Sequence, residues 1–204
     1  MLFLTISFAC YIGVYFSLGN IMSSLFYPLG FDSMQIACIG VTMLFSGFIG
    51  VALTGAILDK TNAYKKLLIF LVMISFAFFG LLLHQFLGAC SYGMIIFYMI
   101  ILGMAMISVL PASIGLGVEI TFPMQPALVS GVMMMFAQIS GCLQSVVYSA
   151  IMDVDANDYP TEEELNDVRH RRIIDTVLIS FLFLSITLLG VFCVKEDLKR
   201  LRYN

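Results

Sequence analysis

Amide and aromatic side chains set inside long apolar runs are the residues of this sequence with chemistry to offer. Asn20, Gln138 and Gln144 each place a polar group in a stretch made mostly of apolar and small residues. Such a group is costly in hydrocarbon unless it meets protein, water or a ligand. Gln138, within FAQISG at 136–141, lies deep in its run, where an amide can bond a neighbouring helix or a solute. Tyr15 and Phe16 add two adjacent rings, whose faces suit an organic cation as well as plain packing. A second constellation is charged. Residues 55–66, GAILDKTNAYKK, gather Gly55, Asp59, Lys60, Lys65 and Lys66 into a short hinge between two apolar runs. An acid at one helix end could rest on the positive N-terminal end of another helix. The expected partner is the fifth helix, whose start is bracketed by Pro123 and Pro126, proline being favoured at the first helical position. Gly55, one turn before Asp59, would let the two helices approach.

The elements that must position these groups follow from composition. The chain has 204 residues, 61% hydrophobic and 11% charged, with mean hydropathy +1.02. Soluble domains carry about 25% charged residues, so the class is a polytopic membrane protein. Its apolar runs far exceed the roughly ten alternating residues of a membrane β-strand, and the fold class expected is all-α. Six segments reach the length of about 20 residues that a spanning helix needs: approximately 2–27, 34–58, 67–86, 93–117, 126–152 and 173–194. The first lacks a basic n-region and a cleavage site, and reads as a retained helix rather than a leader.

Lysine and arginine placement sets the expected orientation. Lys60, Lys65 and Lys66 share a side with Lys195, Lys199, Arg200 and Arg202, while Arg169, Arg171 and Arg172 lie opposite, at the end of an acidic stretch. Both ends of the chain are therefore expected in the cytoplasm, with 195–204 a basic tail and 153–172 an acidic non-cytoplasmic loop. Thr161 and the acids after it read as the start of a short surface helix. That loop lacks the glycine and closing glutamate of a calcium site, and is read as solvated. The cysteines, Cys10, Cys38, Cys90, Cys142 and Cys193, show no C-x-x-C spacing and are read as small hydrophobes. No nucleophile–base pair, H-E-x-x-H, P-loop or paired intramembrane carboxylates occur, so neither an enzyme nor a metal or cofactor is expected. The partners expected are the lipid bilayer and a small-molecule solute, with no nucleic acid.

The hinge resembles the loop signature of major facilitator transporters, G-x-x-x-D-R/K-x-G-x-x-x-R/K, with Asn62 in place of the second glycine. Asn also enters left-handed turns. Residues 110–123, LPASIGLGVEITFP, resemble the L-P-x-G-x-E-x-A-x-E-I/L-T-Y/F-P block of the feline leukaemia virus subgroup C receptor-related transporters. Ser130 and Gly131, then Ala137, Gln138, Ile139 and Gly141, follow in that family's order, and LDKTNAYK at 58–65 is similar to its L-D-x-T-x-x-Y-K. The resemblance implies the C-terminal six helices of a twelve-helix alternating-access carrier whose proposed cargoes are choline, ethanolamine and haem. It implies a plasma-membrane location and a missing N-terminal six-helix half as partner, since the solute lies between two such halves. Alone, the chain is not expected to transport. The implied solute wall is Phe16, Tyr15, Asn20 and Gln138, with Phe16 at the position of a cage tyrosine. The implied latch is Gly55, Asp59, Lys60, Lys65, Lys66 and Glu119. Departures from the family are the missing tyrosine hydroxyl at Phe16, Met134 for an asparagine, and Met124, Gln125 and Pro126 for acidic residues. The alternative reading is a non-transporting receptor or partner-binding subunit of the same fold, docking through its acidic loop.

Overall fold

The computed structural model describes residues 2–61, 63–87, 91–153 and 162–193, of which 162–166 are described by backbone alone. It contains six α-helices: α1 (Leu2–Phe26), α2 (Ser33–Thr61), α3 (Tyr64–Leu87), α4 (Tyr92–Thr121), α5 (Pro126–Met152) and α6 (Glu162–Cys193). Among the described residues there is no strand. In lipid every backbone N–H and C=O must be satisfied within the segment, so an apolar run of this length has little choice but a helix. The helices are 24 to 32 residues long, about 36 to 48 Å at 1.5 Å per residue. That exceeds a hydrocarbon core of roughly 30 Å. All six are long and apolar enough to cross a membrane, and the chain is an all-α, multi-pass integral membrane protein.

Local signals fix several ends. Between α1 and α2, Pro28 opens a single 3-10 turn and Gly30 closes it at φ +86°, a left-handed position where glycine carries no steric penalty. Asp32 caps α2, and Gln35 returns the bond: the Asp32 N–H donates to Gln35 Oε1 at 3.0 Å. Pro126 occupies the first turn of α5 after an extended Gln125. α6 departs from the sequence reading. The acidic stretch from Glu162 forms no separate short helix but runs unbroken into the spanning segment. Glu, Leu and Arg are good helix formers, and hydropathy alone could not see past the charges. Residues 154–161 and 194–204, hence much of the acidic loop and all of the basic tail, lie outside the described residues, as do Asn62 and Cys90.

Packing follows a chain of neighbours: α2 on α4, α4 on α3, α3 on α6, α6 on α1 and α1 on α5, with α1–α4 and α5–α6 contacts closing the bundle. The core is apolar and aromatic, built on Phe8, Tyr11, Phe26, Phe79 and Phe86. Sparse polar links cross it: Tyr11 bonds Ser75 between α1 and α3, and Ser180 Oγ lies 2.9 Å from Tyr148 Oη between α6 and α5. Large apolar side chains such as Phe45, Phe48, Leu182 and Phe192 cover the outside. Only a hydrocarbon surround accommodates that surface at low cost.

Candidate functional site

α1 is the central helix and α5 a peripheral one. Of the most apolar window of each, 61% is buried in α1 and 22% in α5. α5 buries one stripe, Val129, Met133, Ala137, Gly141, Gln144 and Tyr148, spaced three and four apart as one helix face demands. The flanks either side of that stripe differ in chemistry. Val132, Phe136, Ile139 and Leu143 make one flank apolar. Gln138, Cys142, Ser145 and Ser149, at the same helical spacing, make the other polar over about 16 Å.

Close approach at Gly13 builds the seam. A Cβ there would stand 2.5 Å from Gln144 Nε2 and 2.9 Å from Ser140 Oγ, so only glycine lets the Gln144 amide reach α1. Gln144 Nε2 donates to the Cys10 carbonyl at 3.3 Å and to Ser140 Oγ at 2.9 Å. Gln144 is 3% exposed, and its Oε1 is buried without a hydrogen-bond partner. Farther along, Phe16 lies against Gly141, where an added Cβ would sit 3.4 Å from Phe16 Cβ. Next, Asn20 Nδ2 donates to Ser145 Oγ at 3.0 Å. Tyr15 and Phe16 are half-buried, their ring centroids 5.7 Å apart and tilted by 58°.

The two glutamines therefore divide the roles that the sequence left open at Gln138. Gln144 makes the helix-to-helix bond. Gln138 is exposed on the polar flank and makes no hydrogen bond to the described residues. Phe16 and Asn20 meet the seam at Gly141 and Ser145, one and two turns along α5 from Gln138. Cys142, Ser145 and Ser149 belong to the same flank and were missed by sequence reasoning, although their three- and four-residue spacing from Gln138 was there to be read.

The charged hinge is placed differently from expectation. Asp59 and Lys60 belong to the last turn of α2, and Lys65 and Lys66 to the first turn of α3. Asp59 is exposed and makes no hydrogen bond or ion pair with the described residues. α2 packs on α4 rather than on α5, and a Cβ on Gly55 would meet nothing within 4 Å. The expected rest of Asp59 on the start of the fifth helix is therefore not made within this chain, because α4 occupies the buried side of α2. Tyr64 does make a contact: its ring fills the space where Gly115 of α4 lacks a side chain, 2.7 Å from the position of an added Cβ. Glu119, one turn beyond Gly115, is buried at 7% exposure near the end of α4. The hinge and Glu119 thus share one end of the bundle. Among the described residues no group of three or more His, Cys, Asp or Glu could hold a metal ion.

No protein-family model matches the chain. It is 28% identical over 204 residues to the choline/ethanolamine transporter FLVCR1 of Mus musculus, which covers 98% of this chain and 33% of that protein. This chain is related to the choline/ethanolamine transporters. The choline/ethanolamine transporter flvcr2a of Danio rerio is 26% identical over 154 residues, 74% of this chain and 32% of its own. The human choline/ethanolamine transporter FLVCR2 is 23% identical over 154 residues, 74% and 28% of the two chains. The motif resemblance is borne out. The chain spans about a third of the length of the curated relatives it matches.

Proposed function

We propose that this chain is one six-helix half, the C-terminal one, of an alternating-access carrier for a small organic cation of the choline or ethanolamine type. The polar flank of the α1–α5 seam is one wall of the solute path. The observation that carries this reading is Gln138: an amide within a spanning helix, exposed, and without a hydrogen bond to the described residues. Intramembrane polar groups left without a local partner usually face a ligand, water or another protein surface. Phe16 meets the seam at Gly141, one turn along α5, and its ring and the neighbouring Tyr15 ring offer faces to an ammonium group, while Asn20 extends the polar wall through Ser145. The other wall comes from a second six-helix half, as in carriers that bind at a repeat interface.

The latch residues fit this reading too. Asp59 at the C-terminal end of α2 and Lys65 and Lys66 at the N-terminal end of α3 all oppose their own helix dipoles, each at about 0.3–1 kcal/mol. Asp59, exposed and without a hydrogen bond or ion pair to the described residues, is placed to meet a surface that arrives from outside the bundle and engages Gly55, Asp59 and Lys60 when that side of the carrier closes. The membrane proposed is the plasma membrane, with both chain ends on the cytoplasmic side.

The test is uptake of labelled choline and ethanolamine by cells expressing the reading frame that carries this chain, with Gln138→Ala alongside. Uptake that falls at least tenfold in the variant, with surface expression equal, is the expected result. No uptake of either solute by well-expressed protein would remove these substrates and turn attention to haem or to a receptor role. Equal uptake by the variant would take Gln138 out of the path.

A further inference from the structure

At the end of the bundle where α1 and α5 finish and α6 begins, three elements enclose a pocket of about 250 Å³. Ser24, Tyr27 and Pro28 form one wall, Met152 and Asp153 a second, Arg169 and Arg172 the third. The arginines are three apart on α6, so their guanidinium groups share a helix face, and both are half-buried. Arg172 is partly committed: its Nη1 donates to the Ile151 carbonyl at 3.0 Å, near the C-terminal end of α5, where a cation also suits the helix dipole. Arg169 makes no hydrogen bond or ion pair with the described residues. Asp153 bonds Ser149 through its backbone N–H, while its carboxylate forms no ion pair with either arginine. The pocket therefore holds both signs of charge, with no ion pair between them among the described residues.

We infer that this pocket binds a zwitterionic phosphate ester, with the phosphate on Arg169 and Arg172 and the ammonium group against Asp153 and the Tyr27 ring. Guanidinium groups present planar forks of N–H donors that match phosphate oxygens. A carboxylate and an exposed aromatic face are the matching pair for an ammonium group. The size suits a headgroup rather than a whole lipid. An adjoining cavity of about 490 Å³ between α1 and α2, which shares Ser24 and Tyr27, has room for what the headgroup is attached to. The height suits it as well. Arg169 and Arg172 immediately precede the apolar run of α6, and Tyr27 and Asp153 stand at helix ends, the level where arginine and tyrosine meet the headgroup layer. None of these residues belongs to the proposed solute wall, so the inference stands whether or not the chain is part of a carrier.

The experiment uses the protein expressed from the reading frame that carries this chain, purified in a phosphate-free detergent. Soluble phosphocholine is titrated calorimetrically, with choline as control, and retention of phosphatidylcholine after delipidation is read by native mass spectrometry. Arg169→Gln is the decisive variant, because the side chain it removes makes no hydrogen bond or ion pair with the described residues, and its melting profile is compared with the parent's. Arg172→Gln, which also frees the end of α5, is compared only if its melting profile matches the parent. Phosphocholine binding weakened at least tenfold by Arg169→Gln, with choline binding unaffected, supports the pocket and names a soluble ester. Phosphatidylcholine retained by the parent and lost by Arg169→Gln supports it and names the lipid headgroup. Binding of neither ligand, or binding that survives Arg169→Gln, overturns it.

Discussion

Gln138 and Gln144 sit six residues apart on one helix and behave as different kinds of residue. Gln144 lies in the buried stripe, with its Nε2 engaged twice and its Oε1 engaged by nothing. A buried carbonyl without a donor costs about 1–3 kcal/mol, and membrane hydrogen bonds average only about 0.6 kcal/mol. Replacing the whole amide by a hydrocarbon of similar volume therefore removes gains and a cost of comparable size. Gln144→Leu is expected to change stability by no more than about 1 kcal/mol on those magnitudes. Gln144→Glu is expected to be far worse. It brings a carboxylate oxygen against the Cys10 carbonyl, with the Ser140 hydroxyl the one donor named beside it, and burying a charge so costs several kcal/mol unless it takes up a proton. Gln138→Glu, on the exposed flank, should leave the melting profile unchanged. Circular dichroism melts of the three variants in one detergent check this. A Gln144→Glu protein as stable as the parent would show that the stripe is wetter than its burial implies.

Helices α2 and α4 bring their backbones into close approach at Gly50 and Gly103. A Cβ on Gly103 would run into the Met43 carbonyl and stand 2.5 Å from Ser46 Oγ, and one on Gly50 would press on the Met104 backbone. Backbone atoms cannot turn aside as a side-chain tip can, so Gly103→Ala must push the two helices apart. Overpacking of this kind costs about 1–3 kcal/mol. Gly131 on α5 is the control, since a Cβ there meets nothing within 4 Å, and Ala exceeds Gly in helix propensity by about 1 kcal/mol. Gly103→Ala should lower the melting temperature and Gly131→Ala leave it level or raise it. At this scale the sequence was legible in kind and less so in extent. Length and apolarity revealed all six helices, yet α2 runs past Leu58 to Thr61 and α6 begins at Glu162, because charged residues that end a hydrophobic run do not end a helix.

For the whole molecule, the polar groups worth naming were legible and their division of labour was not. Hydropathy marks Asn20, Gln138 and Gln144 alike, and only the packing of α5 on α1 shows which of them is spent inside the bundle. The hinge motif likewise announced a contact without saying with what; α4 takes the buried side of α2, and Asp59 is left exposed. The claim that most needs testing at this scale is that the polar flank of α5 faces water rather than lipid. Cys142 lies on that flank one turn from Gln138 and is exposed. In a protein whose other cysteines, Cys10, Cys38, Cys90, Cys193 and any outside these 204 residues, are changed to serine, Cys142 becomes the sole reporter. A water-filled path lets a small charged thiosulfonate reach and modify it, since the thiolate that reacts forms readily only where water is at hand. Choline should slow that reaction, by occupying the space beside Gln138. A flank packed in lipid gives no modification by the charged reagent, while a membrane-permeant maleimide still labels the same thiol slowly. Rapid labelling that choline slows, and that Gln138→Ala makes indifferent to choline, would join the exposed amide, the exposed thiol and the solute in one passage. Labelling by the permeant reagent alone would turn the flank outward to the bilayer and remove the α1–α5 seam from the solute path.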